Sequence, residues 1–191
     1  MARTNKTKYA LLGMLTIAPM SGYDIKKVTE FSIGNFWNEN YGHIYPMLKK
    51  MAEEGLAEKR VEEGEGRPSR HVYEITDKGR EELREWLMQP MEHSPVRNEM
   101  LLRLFFGGHA PTEYLVTMIK EQRGAITQRL ETLDWVAAGM EDNRDGDMSR
   151  ELVFMEMTLD FGRRMSREAI RWCDDTLVRL CDIQEKQGGS Q

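Results

Sequence analysis

The chain has 191 residues, which fits one domain or two small ones. Its 40% hydrophobic content can fill a core, and its 31% charged content is mixed in sign, which argues against global disorder. The net charge of −5 lies in the second half: residues 1–90 carry 14 Lys/Arg against 14 Asp/Glu, and residues 91–191 carry 13 against 18, so the first half repels a polyanion less.

Arg3, Lys6 and Lys8 read as a short basic arm. Tyr9, Leu11, Leu12, Met14, Leu15 and Ile17 predict a strongly apolar first helix that stops before Pro19. Ser21 is the expected N-cap of a second helix, running to about Phe31, with Asp24 in the capping-box position. A bend over residues 33–40 precedes a third helix, in which Ile44, Leu48 and Met51 recur at i, i+4 and i+7 as one apolar stripe. Gly55 ends it as a C′ residue. Two extended runs follow, Ala57 to Glu62 and His71 to Ile75. Gly64, Gly66 and Pro68 between them predict a hairpin with a long, flexible tip. Thr76 then caps a fourth helix, with Leu83, Trp86 and Leu87 on one side, that ends before Pro90.

The stretch Pro90 to Pro95 reads as a linker and divides the chain into 1–90 and 91–191. Everything beyond it reads as helical. A short helix covers Asn98 to Phe106, and a long one runs from Thr112 to about Met140. After a polar break at Glu141 to Gly146, a last helix runs from about Met148 to Glu185, and residues 187–191 read as a frayed tail. Cys173 and Cys181 stand eight apart in that helix, a rise of about 12 Å that no disulfide spans. Two reduced thiols point to the cytosol. No signal peptide opens the chain, and the apolar run Tyr9 to Met20 is shorter than the roughly 20 residues a membrane span needs. The expected location is cytoplasmic.

Three short helices, a hairpin and a further helix form a winged helix-turn-helix. The expected fold class is mainly α: this N-terminal winged helix followed by an all-α dimerisation domain. In such folds the third helix enters the major groove and the hairpin reaches the DNA backbone or minor groove. With Ile44, Leu48 and Met51 inward, the third helix presents His43, Tyr45, Lys49 and Lys50 outward. Adjacent residues stand about 100° apart, so the two lysines cannot share the groove, and Lys49 is favoured. Tyr45 has a competing reading as a core aromatic. The wing has Lys59 and Arg60 at its base and Arg67 and Arg70 near its tip, beside glycines that permit close approach to a phosphate. Lys8, in the arm, is a further candidate for backbone contact.

The segments that carry this pattern resemble the PadR family of transcriptional regulators. Ser21-Gly22-Tyr23-Asp24-Ile25 is similar to the family's second helix, and residues 40–48, Asn40-Tyr41-Gly42-His43-Ile44-Tyr45-Pro46-Met47-Leu48, to its recognition helix. Gly66-Arg67-Pro68-Ser69-Arg70, then Tyr73, Thr76, Gly79, Leu83, Trp86 and Leu87, resemble its wing and following helix. Val96-Arg97, residues 101–106 and Phe161-Gly162 to Trp172 resemble the virulence-activator-type C-terminal domain of longer members. The resemblance implies a regulator that represses or activates by binding double-stranded operator DNA as a homodimer; repression is the expected sign, though the sequence itself does not select it. It adds Asn40 and Tyr41 to the expected DNA-binding set. It also implies that the third helix starts near Tyr41, which leaves Pro46 in the early turns. Some members respond to small hydrophobic or aromatic effectors. The family often has Ser or Gln where His43 stands, so base preference does not carry over there.

The two long C-terminal helices carry more apolar residues than packing on each other consumes. Leu115, Met118, Ile119, Ile126 and Leu130 on one, with Leu152, Met155, Leu159, Trp172 and Leu177 on the other, are the expected dimerisation residues. The competing reading folds these helices back onto the winged helix. His43, His71, His93 and His109 are scattered without metal-ligand spacing, and neither a phosphate-binding loop nor a Cys-x-x-Cys pair is present. The sequence therefore offers no basis for an enzyme, a metal or a cofactor. The rival class is a winged-helix adaptor or ligand sensor that does not bind DNA.

Overall fold

The apolar run near the start of the chain forms helix α1 (Lys6–Ile17) in a computed structural model that describes residues 5–34, 36, 37, 41–64, 67–92, 97–142 and 150–188. Tyr9, Leu11, Leu12, Met14 and Leu15 of α1 are buried. The helix ends where Pro19 forces the preceding residue out of helical geometry: Ala18 is fully extended at φ −164°, ψ 162°. Strand β1 (Met20–Ser21) and helix α2 (Gly22–Phe31) follow directly. Ser21 therefore has two roles where the sequence pointed to one. It caps α2, and it pairs with Val72 as part of a sheet edge.

The third helix, α3 (Ile44–Glu53), is entered through a 3-10 turn at Tyr41–His43. Pro46 is its third residue, where no amide donor is required by the helix ladder. Ile44, Leu48 and Met51 are fully buried, as their spacing predicts. At the far end Gly55 takes φ +71°, and the amides of Leu56 and Gly55 donate to the carbonyls of Met51 and Ala52 at 2.8 and 3.1 Å. This is a Schellman cap, with glycine at the position that requires it.

Strands β2 (Ala57–Gly64) and β3 (Arg67–Ile75) are longer than the sequence reading and pair antiparallel. The length of the expected tip is thereby corrected. The ladder continues through Glu62↔Arg70 to Gly64↔Arg67, with a register shift between Glu62 and Gly64. Only residues 65 and 66 separate the strands, and they lie outside the described residues. The sheet order is β1-β3-β2. Helix α4 (Asp77–Leu87) is capped by the Thr76 hydroxyl, which accepts from the Gly79 amide at 3.1 Å.

The chain divides into two units, Met1–Glu92 and His93–Gln191. The first is built on one core that joins α1, α2, α3 and the sheet, with Trp86 of α4 packed against it. The second contains α5 (Glu99–Phe105), a 3-10 turn at Gly107–His109, α6 (Thr112–Asp142) and α7 (Arg150–Gly188). Helix α6 continues through the start of the expected polar break; the expected α7 start at Met148 lies outside the described residues. Glu113–Gln184, Arg123–Asp174 and Asp134–Arg163 contacts, at 3.0, 2.6 and 2.6 Å, run in opposite directions along α6 and α7 and mark an antiparallel pair. Among the described residues no helix is long and apolar enough to cross a membrane.

Candidate nucleic-acid interface

Helix α3 separates its faces sharply. The inward stripe anchors it, and Tyr45 and Lys49, four residues apart, share the outward side. Tyr45 is 60% exposed, which settles its competing core reading against the core. Its ring instead rests on the first residue of α2: a Cβ built on Gly22 would stand 2.6 Å from Tyr45 Cε1. Gly22 was missed as a site residue. It supplies the bare backbone that lets the tyrosine ring lie along the start of α2.

His43 is exposed in the 3-10 turn ahead of α3. Lys49 reaches toward Glu53 at 3.8 Å and its side chain is 78% exposed, so little holds it back from a phosphate. Lys50 faces Glu54 at 3.6 Å. Tyr41 lies in the 3-10 turn, and Asn40 is outside the described residues. Arg67 opens β3 opposite Gly64.

Two of the expected contacts have other partners. Lys8 belongs to α1, not to a free arm, because the helix already begins at Lys6. Its ammonium is ion-paired with Glu82 of α4 and lies 4.7 Å from the Tyr9 ring centroid. The Tyr9 hydroxyl donates to the same carboxylate at 3.1 Å, and the Tyr9 ring stacks on Trp86 at 4.6 Å. Lys8 is therefore part of the α1–α4 seam. Arg70 is bound by two carboxylates: its Nε and Nη2 reach Glu62 Oε2 at 2.9 and 2.8 Å, and its Nη1 reaches Asp24 Oδ2 at 3.4 Å. At the wing base Arg60 pairs with Glu74 at 2.6 Å.

The expected dimerisation set also divides. Leu115, Ile119 and Ile126 are buried within a single chain, clustered with Cys173 and Leu180, and Met118 and Leu177 pack against them. Those residues form the α6–α7 core and are not an outer face. The stripe was legible, but its partner was misjudged. Leu130 and Leu159 are half-buried, and Leu152, Met155 and Trp172 are exposed at its edge. The broad outer face belongs to residues the sequence reading passed over. Phe154, Met157, Phe161 and Met165 are all more than half exposed on α7. Their spacing of three, four and four residues was the available signal.

A three-helix core, a three-stranded sheet with a hairpin, and a third helix with an exposed outward face define a winged helix-turn-helix protein, followed by a helical region. Residues 11–85 match the family described as "Transcriptional regulator PadR-like family", and residues 96–180 match "Virulence activator alpha C-term". The first unit is thus similar to the PadR-like family of transcriptional regulators, and the second to the C-terminal domain of virulence activators. It is 37% identical to the negative transcriptional regulator PadR of Bacillus subtilis over 101 residues, 52% of this chain and 55% of that protein. The solved smu.1604c of Streptococcus mutans superposes with a TM-score of 0.79 at 26% identity, covering 90% of this chain and 98% of that one. Bacillus subtilis PadR in complex with operator DNA superposes with a TM-score of 0.74 at 25% identity, covering 91% and 98%.

Proposed function

We propose that this regulator is a sequence-specific DNA-binding repressor that engages a pseudo-palindromic operator as a homodimer. The observation that carries the reading is the outward face of α3, where Tyr45 and Lys49 project beside His43 from a helix whose opposite side is fully buried. An aromatic donor and a cation on a buried-backed helix, with an imidazole in the turn ahead of it, match the chemistry of base edges and phosphates in the major groove. Arg67 on the hairpin, with Asn40 and Tyr41 ahead of α3, completes the proposed contact set. The DNA-bound relative supports the mode of action, and the printed name of the Bacillus subtilis protein supports the negative sign.

An effector belongs to the same proposal. A groove of about 320 Å³ in the helical unit is lined by Met100, Ile126, Trp172 and Cys173, with Asn98 and Gln122 at its polar side. A small aromatic molecule would seat there against Trp172, and quenching of tryptophan emission reads its binding.

Footprinting on genomic fragments tests the main reading. Two protected half-sites about 34 Å apart, one turn of DNA, are expected. Binding with no salt dependence, or no protected site, would favour a protein-binding adaptor.

A further inference from the structure

We propose that Arg70 is a positioning residue of the wing and not one of its phosphate contacts; the inference rests on the DNA-binding reading above. Arg70 faces Glu62 across the hairpin ladder, and its guanidinium reaches back to Asp24 of α2. All three of its nitrogens are engaged: Nε and Nη2 by one carboxylate oxygen of Glu62, Nη1 by Oδ2 of Asp24.

Asp24 is not an incidental partner. Its Oδ2 accepts from the Ser21 amide at 3.0 Å and from the Ser21 hydroxyl at 2.7 Å, and the Asp24 amide returns to Ser21 Oγ at 3.2 Å. These bonds, ahead of the Arg70 charge, keep its carboxyl below the ordinary value and therefore ionised. Ser21 is itself paired with Val72 of β3. The next residue, Gly22, is the one on which Tyr45 of the recognition helix rests. One short stretch thus joins the wing strand, the start of α2 and the recognition face, and Arg70 is the cross-tie that fixes the wing to it.

Charge gives the second argument. One guanidinium between two carboxylates leaves the cluster at a net −1. A phosphate would have to displace a carboxylate to use Arg70, and Glu62 would then stand unpaired beside the DNA. Lysine cannot replace this arginine fully, since an ammonium lacks the planar fork that spans two acceptors.

The test measures operator affinity against salt for the full-length wild type, Arg70→Ala and Arg70→Lys, with hydrogen exchange of the hairpin amides in the DNA-free protein. Arg70→Ala is expected to weaken binding about three- to tenfold, the range of one or two exposed ion pairs. The slope of log K against log salt should stay as in the wild type, while exchange in the β2–β3 amides rises without DNA. Arg70→Lys should recover part of both effects. A slope shallower by about one with unchanged exchange would make Arg70 a phosphate contact and overturn the proposal. Unchanged affinity and exchange would overturn it equally. Failure of the wild type to bind any operator would instead sink the DNA-binding reading.

Discussion

At the scale of single residues, side chains that face outward in the structure have separable roles in binding and folding. His43 sits in the turn ahead of α3, exposed and outside the core. His43→Ala is expected to leave the melting temperature unchanged but to cost about 1–3 kcal/mol on the cognate operator alone, as loss of a good base contact does. Equal losses on cognate and random duplex would assign it to the backbone instead. Gly79 is the opposite kind of residue. A Cβ there would stand 2.2 Å from the Leu56 carbonyl oxygen and 2.9 Å from Ile75, both fixed in the core seam. Gly79→Ala should therefore cost about 1–3 kcal/mol in urea unfolding, the range for overpacking, and a cost below 0.5 kcal/mol would show that α4 shifts freely. Such residues differ in legibility. The capping roles of Ser21, Asp24, Gly55 and Thr76 follow from local spacing and were readable. The close approaches at Gly22 and Gly79 depend on which distant segment arrives, and local spacing does not encode that.

At the scale of elements, periodicity located the helices, while partners were what the sequence withheld. Lys8 illustrates this. Two residues of local context made it an arm residue, and its place on α1 opposite Glu82 is a contact 74 residues distant. The hairpin shows the same limit: Gly64 and Pro68 suggest loop by composition, yet both lie in paired strands. The α1–α4 seam yields a pH prediction. The Lys8 hydrogen bond, with smaller help from Tyr9 and against a burial cost, lowers the Glu82 carboxyl from its ordinary 4.5. A carboxyl depressed in the folded state stabilises the fold above its unfolded value, and that contribution is lost as pH falls through the folded value. On Lys8 burial acts downward, but the Glu82 and Tyr9 contacts raise it overall, so it stays charged throughout the acid range. Glu82→Gln should lower stability at pH 7 yet flatten the acid limb of the stability curve below about pH 4.5. Parallel acid limbs for the two proteins would show that the pair contributes no linkage.

At the scale of the whole molecule, the outer face of α7 decides how the proposed dimer forms. Gly162, Ser166, Cys173 and Leu180 are the inward positions of α7, and a flank about 100° round the helix from them presents Phe154, Met157, Phe161 and Met165. Three of those inward residues, Gly162, Ser166 and Cys173, are small, which suits close packing of α7 on α6 within one chain. The bulky residues are therefore available to a second copy, and burying them would remove apolar surface from water at about 25 cal/mol per Å². Phe161 is 59% exposed, so Phe161→Glu should change the stability of a single chain by no more than about 0.5 kcal/mol. In a dimer seam the same carboxylate would be buried without a partner, which is costly. Light scattering on the full chain should thus give a dimer near micromolar concentration for the wild type and a monomer for Phe161→Glu, with identical helix content by circular dichroism. Operator affinity should fall with dimerisation, because the second half-site loses the roughly millimolar effective concentration that a linked partner provides. Affinity for an isolated half-site should not change, since α3 and the wing are untouched. A Phe161→Glu protein that still scatters as a dimer would move the seam to another face, with Leu102 and Phe105 of α5 the next exposed apolar pair to substitute. A monomeric variant that bound the full operator as tightly as the wild type would remove dimerisation from the proposed mechanism.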